Sequence, residues 1–418
     1  MSQTPPESLF RVFLRIGLLS FGGPAAQIAL MHEEIVTRQR WMTEAQFLRA
    51  LSFCMLLPGP EAMQLATYAG WQKAGIRGGL IAGGLFVIPG ALVIAALAFA
   101  YVAWGEVPLV EALFVGVKAA VIVIVVQALW KIAKRALKER WHLLVAVTAF
   151  AALFVFGLPF PLVIGVAALT GALLARPDPA ATVPPPAPAL RRGLVIAAIG
   201  LVIWFAPILA AHLTGAEFLR DLGLFFAKLA TVTFGGAYAV LTWMTQEVVQ
   251  LRGWLTTAQM VDALGLAETT PGPLILVTQF VGMVTGLERG GAVLGLAAGA
   301  MTLWATFVPC FIWIFAGAPL IAALEHRPRL EAALAGVTAA VVGVVANLSL
   351  WFAFTVLFAE TRAPFAPLPM LLPAPETLQL LPLGLAGLAA LLLVALRLPL
   401  PLALIATAAA AALLSPLG

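Results

Sequence analysis

Residues 20–60 read SFGGPAAQIALMHEEIVTRQRWMTEAQFLRALSFCMLLPGP, and residues 233–273 read TFGGAYAVLTWMTQEVVQLRGWLTTAQMVDALGLAETTPGP. The two stretches align without a gap at an offset of 213, and 16 of the 40 positions from 21 to 60 are identical. Phe21-Gly22-Gly23 falls on Phe234-Gly235-Gly236, Trp41 on Trp254, Gln46 on Gln259, and Pro58-Gly59-Pro60 on Pro271-Gly272-Pro273. After one deletion the match resumes, with Gly70 on Gly282 and Arg77-Gly78-Gly79 on Arg289-Gly290-Gly291. A period near 200 residues is far too long for a solenoid. Two copies of a unit this size point to the internal repeats on which secondary transporters are built.

Composition gives the solvent. The chain has 418 residues, of which 62% are hydrophobic and 10% charged, against about 25% charged in a soluble domain. Mean hydropathy is +1.04. A soluble surface cannot be built from so few polar groups, so the chain reads as an all-α polytopic membrane protein whose main partner is the lipid bilayer. The net charge of +5 sits in loops, where a topology rule accounts for it, and is no sign of nucleic acid. Cys54 and Cys310 lie in apolar stretches and the four histidines are scattered, so no metal centre, cofactor site or disulfide framework is expected.

The repeats divide the chain into an N-terminal copy (1–175), a linker (176–192, RPDPAATVPPPAPALRR), a connecting span (193–213) and a C-terminal copy (214–418). Six prolines in the linker predict an extended, exposed segment. A crossing helix needs about 20 apolar residues. Residues 78–104, 108–130, 141–158 and 159–175 qualify or nearly do in the first copy, and 290–317, 330–358, 378–396 and 399–416 in the second. Two stretches per copy remain, one around each FGG (9–31 and 222–244) and one around each PGP (45–72 and 258–285). A helix cannot run through Pro-Gly-Pro, and the flanking apolar runs are too short to cross. Each PGP is therefore expected to be the tip of a re-entrant hairpin of two half-helices, a break tolerated only under cover of protein or in a water-filled cavity. Thr43-x-x-Gln46 and Thr256-x-x-Gln259 are capping boxes that place a helix start after each tryptophan.

Charge sets orientation. The connection 131–140 carries Lys131, Lys134, Arg135, Lys138 and Arg140 against Glu139, and reads as cytoplasmic. Its counterpart in the second copy, 359–377, carries Glu360, Arg362 and Glu376, a negative balance. The turn with Glu325, Arg327 and Arg329 is positive where the first copy has Glu106. With the FGG and PGP segments both re-entrant the copies read as inverted in the membrane, 193–213 supplying the odd crossing; FGG segments that cross would make them parallel.

Inverted repeats place a substrate site at their interface, on discontinuous helices. Pro60 and Pro273 suit the first position of a second half-helix, and the N–H groups that follow, at the positive end of the macrodipole, suit a small anion. Pro58, Gly59, Pro271 and Gly272 complete the two tips. Gly22, Gly23, Gly235 and Gly236 permit either close ligand approach or close helix packing. Arg15 and Lys228 occupy matched positions six residues before the FGG phenylalanine; they bind the anion, or they snorkel to the headgroups. Ser20 and Thr233 also match, and either donate to an anion or bond a helix carbonyl. Gln64 and Gln279 are further polar groups near the tips. Glu61, after the first PGP, and Glu268, before the second, are candidates for proton coupling, with a plain first-turn dipole partner as the other reading of Glu61. Glu34 and Glu247 match and read equally as structural partners. Small-residue faces such as GVTAAVVGVVA at 336–346 pack within the chain or in a homodimer.

The sequence resembles the chromate transporter family in its long, two-domain form. The resemblance rests on SFGGPAAQIALMHEEIV (20–36), RQRWMTEAQF (38–47) and LLPGPEAMQLATYAGW (56–71). In the second copy it rests on FGGAYAVLTWMTQEVV (234–249) and GWLTTAQMVDALGLAETTPGPLILVTQFVG (253–282). It implies a bacterial inner-membrane protein that exports chromate and confers resistance; the residues themselves say only "small anion". No ATP-binding motif is present, so transport is expected to be secondary. Sulfate, a similar tetrahedral dianion, is the alternative substrate. A channel or a membrane-embedded enzyme is the alternative class, the latter lacking a visible nucleophile–base pair or metal site.

Overall fold

The computed structural model describes residues 7–21, 23–105, 107–175, 187–234, 237–320, 328–363 and 370–415. Fifteen helices carry these residues: α1 (Leu9–Leu19), α2 (Gly23–His32), α3 (Glu44–Leu56), α4 (Glu61–Trp104), α5 (Pro108–Ala136), α6 (Arg140–Phe154), α7 (Phe160–Leu174), α8 (Ala187–Leu213), α9 (Glu217–Val232), α10 (Ala237–Thr245), α11 (Thr257–Thr269), α12 (Val277–Gly317), α13 (Pro328–Leu357), α14 (Leu380–Ala390) and α15 (Leu400–Leu414). Wider π turns extend α2 over Glu33–Arg38, α10 over Gln246–Leu251 and α14 over Leu391–Ala395. Five of the described helical stretches are long and apolar enough to cross a membrane. Among the described residues the departures from all-α are a two-residue antiparallel ribbon, Thr361–Arg362 with Leu372–Pro373, and an isolated bridge between Phe358 and Leu378.

Both PGP segments break the helix where expected, and the FGG segments break it as well, which the sequence reading did not anticipate. α1 ends at Leu19 and α2 opens at Gly23; α3 ends at Leu56 and α4 opens at Glu61. The capping box at Thr43 is complete, with Gln46 N–H on Thr43 Oγ1 (3.2 Å) and Thr43 N–H on Gln46 Oε1 (2.9 Å). Thr256 and Gln259 repeat it at 2.8 and 3.2 Å. Beyond the PGP, α4 is not one straight rod. Ala74 (φ −144°) and Gly75 (φ +62°) leave helical geometry, and the helix folds back so that Gly70 packs on Gly78 and Ala82. Gly290 (φ −155°) and Gly291 (φ +71°) do the same in α12, with Gly286 2.8 Å from Gly295 when a Cβ is placed on it. The positive φ of the second residue is what requires glycine there.

Two sequence expectations shift. The linker's last six residues are helical: α8 starts at Ala187, and Pro188 is tolerated because a first turn needs no N–H there. Residues 176–186 of the linker lie outside the described residues. The basic connection at 131–140 is largely helix, since α5 runs to Ala136; Lys134 and Arg135 occupy its last turn, where cations suit the helix C-terminus. Across from it in the repeat, Arg362 pairs with Glu376 (2.6 Å) and Glu360 (3.4 Å). Backbone hydrogen bonding holds the exposed Glu376 carboxyl below its usual range, and Arg362 adds to this.

The chain forms two compact units that cut across the repeats. One comprises Met1–Val102, Pro179–Ala237 and Thr270–Arg327; the other comprises Ala103–Asp178, Tyr238–Thr269 and Pro328–Gly418. In the first unit α12 packs on α8 and α9. Prolines inside its helices, Pro89, Pro207 and Pro309, each leave a carbonyl without its helical donor. The one freed by Pro309, Ala305 C=O, accepts the buried Trp204 indole N–H at 2.9 Å. The one freed by Pro89, Leu85 C=O, lies against Gly17.

In the second unit α13 packs on α5, α6 and α7. Lipid offers no hydrophobic drive for this, so close backbone contact at small residues must supply it. Gly343 sits on the Ala146 carbonyl, Gly336 on Ala167, and Gly171 on Ala332. The small-residue face at 336–346 is therefore used within the chain. On α7, Gly171 is closed in while Gly165 faces open space. Gly171→Val is expected to cost about 1–3 kcal/mol through overpacking and to lower the midpoint of thermal unfolding in detergent. Gly165→Val should leave the midpoint within about 0.5 kcal/mol of wild type. Equal midpoints for the two variants would refute this packing.

Candidate functional site

Most of the sequence-derived site residues belong to the first unit, and a crossed pair of backbone bonds organises them. The Gly59 N–H donates to Thr233 C=O at 2.7 Å, and the Gly272 N–H donates to Ser20 C=O at 2.8 Å. Ser20 and Thr233 are repeat equivalents, as are Gly59 and Gly272, so the two bonds are one interaction made twice. Each PGP tip is thus held by the FGG break of the other copy. The glycines adopt φ of +117° and +92°, and a Cβ on Gly59 would come within 2.9 Å of Cys310 Sγ. The crossing extends to the proline kinks of the long helices. Gly59 lies against Cys310, next to Pro309, while Gly272 and Pro271 lie against Gly90, next to Pro89. Buried Gln27 completes the second tip by donating to Gly272 C=O at 2.8 Å.

The helix starts are one residue later than expected. Pro60 and Pro273 precede the first helical residue, and their carbonyls accept from Gln64 (3.1 Å) and Leu276 (2.9 Å). Their extended conformation (Pro273 ψ 137°) keeps them outside the helix. The amides of Ala62 and Met63 after the first tip, and of Leu274 and Ile275 after the second, fall in the first turn, where a helix supplies no acceptor of its own. These are the donors at the positive helix ends.

The side chains divide. The Ser20 and Thr233 hydroxyls both bond the carbonyl four residues back, Ile16 and Leu229, at 2.6 Å; the helix-bonding reading is the one realised, and their backbone carbonyls do the joining. Gln64 Nε2 donates to Pro58 C=O (2.7 Å) and Gln279 Nε2 to Ala91 C=O (2.9 Å). A carbonyl only accepts, so both amides are fixed in orientation, and the buried Oε1 of each is without a partner. These glutamines brace the backbone at the tips and present acceptors, not donors.

Arg15 is engaged by Glu7 (2.9 Å) and buried Glu34 (2.7 Å), and Glu34 also binds Arg38 (2.8 Å). Glu247, the equivalent of Glu34, pairs with Arg252 at 3.3 Å. Both matched glutamates are ion-pair partners. Lys228 is exposed on α9, the position of a snorkelling side chain. Glu61 opens α4, half-buried. Gly23 opens α2 at φ +79°; Gly22, Gly235 and Gly236 lie outside the described residues. Glu268 belongs to the second unit, buried beside Val121, Val125, Leu264 and Phe352. Among the described residues no cluster of three His, Cys, Asp or Glu side chains could hold a metal ion.

Sequence reading missed two groups. Gln27 aligns with Val240, so matching between copies passed over it, although a buried amide in an apolar helix was its signal. Lys118 and Asp262 form an ion pair at 3.1 Å in the second unit. The signal there was a lysine inside the apolar helix α5. Removing the Gln27 amide with Gln27→Leu leaves Gly272 C=O unsatisfied, an expected cost of about 1–3 kcal/mol. Thermal unfolding in detergent measures it, and an unchanged midpoint would rule the bond out as a support of the tip.

The family model described as chromate transporter matches residues 8–172 and 220–413. The chain is 34% identical over 349 residues to the chromate transport protein of Pseudomonas aeruginosa, covering 82% of this chain and 80% of that one. It is 32% identical over 345 residues to the chromate transport protein of Cupriavidus metallidurans, covering 81% and 80%. To the probable chromate transport protein of Synechococcus elongatus it is 30% identical over 344 residues, covering 82% and 83%. No solved structure matches the chain. The two matched segments of the family model fall on the two repeats, one on each side of the proline-rich linker, and the chain belongs to the chromate transporter family.

Proposed function

We propose that this protein is a secondary transporter that exports chromate across the bacterial inner membrane by alternating access, with the oxyanion held at the helix starts that follow the two PGP tips. The observation that carries the reading is the crossed pair of Gly59–Thr233 and Gly272–Ser20 bonds, which ties the broken helices of both copies into one unit. The first-turn amides at Ala62, Met63, Leu274 and Ile275 supply donors for an anion at the positive ends of their helices. The names of the relatives supply chromate. Sulfate has the same charge and shape and is the competing substrate.

The driving force needs no nucleotide. Moving one charge through 100 mV is worth about 2.3 kcal/mol, so a dianion leaving a negative cytoplasm gains about 4.6 kcal/mol. Glu61 at the first tip remains a candidate proton carrier in this scheme. The PGP segments are read as re-entrant and the repeats as inverted, because thirteen-residue α3 and α11 rise about 20 Å each, short of a membrane core of about 30 Å.

Two measurements test this. Uptake of radiolabelled chromate into inside-out vesicles is expected to be saturable, to depend on an imposed potential, and to be inhibited by excess sulfate. No uptake above that of empty vesicles would remove the substrate assignment. For topology, single cysteines at Arg135 and Arg362 should react with an impermeant maleimide from opposite sides of the membrane; reaction from the same side would overturn the inversion.

A further inference from the structure

The second unit contains an ionisable line that the anion site does not use. α5 and α11 pack along each other. Lys118 Nζ lies 3.1 Å from Asp262 Oδ1, with their side chains 19% and 9% exposed. One turn further along α11, Gly265 sits against Val117 and Val121 of α5. One turn beyond that, Glu268 lines a small pocket with Val121, Val125, Leu241, Leu264, Leu348 and Phe352. Asp262 and Glu268 are each only 6% exposed, and are about 9 Å apart along the helix axis by its rise per residue. Lys118 also lines an open cavity of about 510 Å³ with Thr245, Gln250, Thr257, Trp351 and Gln379.

Other charges are few. The elements packed on this pair contribute only Glu111 and the basic C-terminal end of α5, and Arg329 and Glu331 at the start of α13; α14 and α15 carry none. Glu247, on the wall of a neighbouring cavity of about 470 Å³, is bound to Arg252. Ionisable groups at this depth are costly unless paired or used. An open cavity of mixed lining, with Thr245, Gln250, Thr257 and Gln379 among its walls, that reaches one member of a buried pair gives that pair a route to water.

We propose that Lys118, Asp262 and Glu268 form the proton-coupling site of the transporter, loaded from the cavity of the second unit. This rests on the transport reading above and gives it a coupling ion. Hydronium in the cavity gives its proton to the Asp262 carboxylate: an O–H bond forms, one water is released, and the pair changes from neutral to a net charge of +1. Lys118 keeps its ammonium and is freed from Asp262. Glu268, in its small pocket, is the deeper group that holds the proton. Loss of the proton to water reverses each step.

The test uses the full-length protein in proteoliposomes containing a trapped pH-sensitive dye. Wild type is expected to move protons whenever it moves chromate. Asp262→Asn, and the neutral pair Lys118→Gln/Asp262→Asn in case the single variant does not fold, should move chromate under an imposed potential with proton flux reduced at least tenfold. Glu268→Gln should shift the pH profile of transport. Unchanged proton flux in Asp262→Asn, or chromate flux without proton flux in wild type, would overturn the coupling site and leave the transport reading intact. If no chromate moves at all, the transport reading fails, and a second readout judges the site. Trp351 lines the same cavity, so wild type in detergent should show a pH-dependent fluorescence change that Trp351→Phe and Asp262→Asn each abolish. Its survival in Asp262→Asn would overturn the proposal.

Discussion

A broken helix in a membrane leaves amides and carbonyls that lipid cannot satisfy, and the architecture of the first unit answers that single constraint. The N–H of each PGP glycine is given to a carbonyl at the other copy's FGG break. Gln27 takes up the Gly272 carbonyl and Gln64 the Pro58 carbonyl. The proline kinks are handled alike: Trp204 takes the carbonyl that Pro309 releases, and Gly17 packs on the one that Pro89 releases. The glycine amides of each PGP, and the Gly272 carbonyl, are completed by the other copy, while Gln64 and Gly17 act within their own.

This arrangement separates two tasks that the same residues could have been thought to share. Ser20, Thr233, Gln64 and Gln279 hold backbone in place. The first-turn amides after each PGP lie at the positive ends of their helices, and Arg15 is held by its carboxylate partners Glu7 and Glu34.

Much of this was legible in the sequence, and for physical reasons. The helix breaks were readable because Pro-Gly-Pro has only one backbone consequence, and the capping boxes because Thr and Gln three apart satisfy each other locally. The long spans were readable from hydropathy alone. Which atoms of Ser20 or Thr233 would act was not readable, since the use of their carbonyls is decided by Gly272 and Gly59, far away in the chain. The Lys118–Asp262 pair was missed for a related reason: Asp262 aligns with Arg49, and comparing the copies rewards what they share and hides what one acquired alone. The division into two units that draw on both copies has no local signature at all.

The fold-back after each PGP makes the two copies unequal. By repeat alignment Gly291 corresponds to Gly79, yet the first copy turns at Gly75, four residues earlier. The one-residue deletion lies in the same stretch, so 16 residues separate Gly59 from Gly75 and 19 separate Gly272 from Gly291. By the rise of a helix the first arm is shorter by about 4.5 Å. Two copies that share their tips therefore differ in reach, an asymmetry written into the backbone itself.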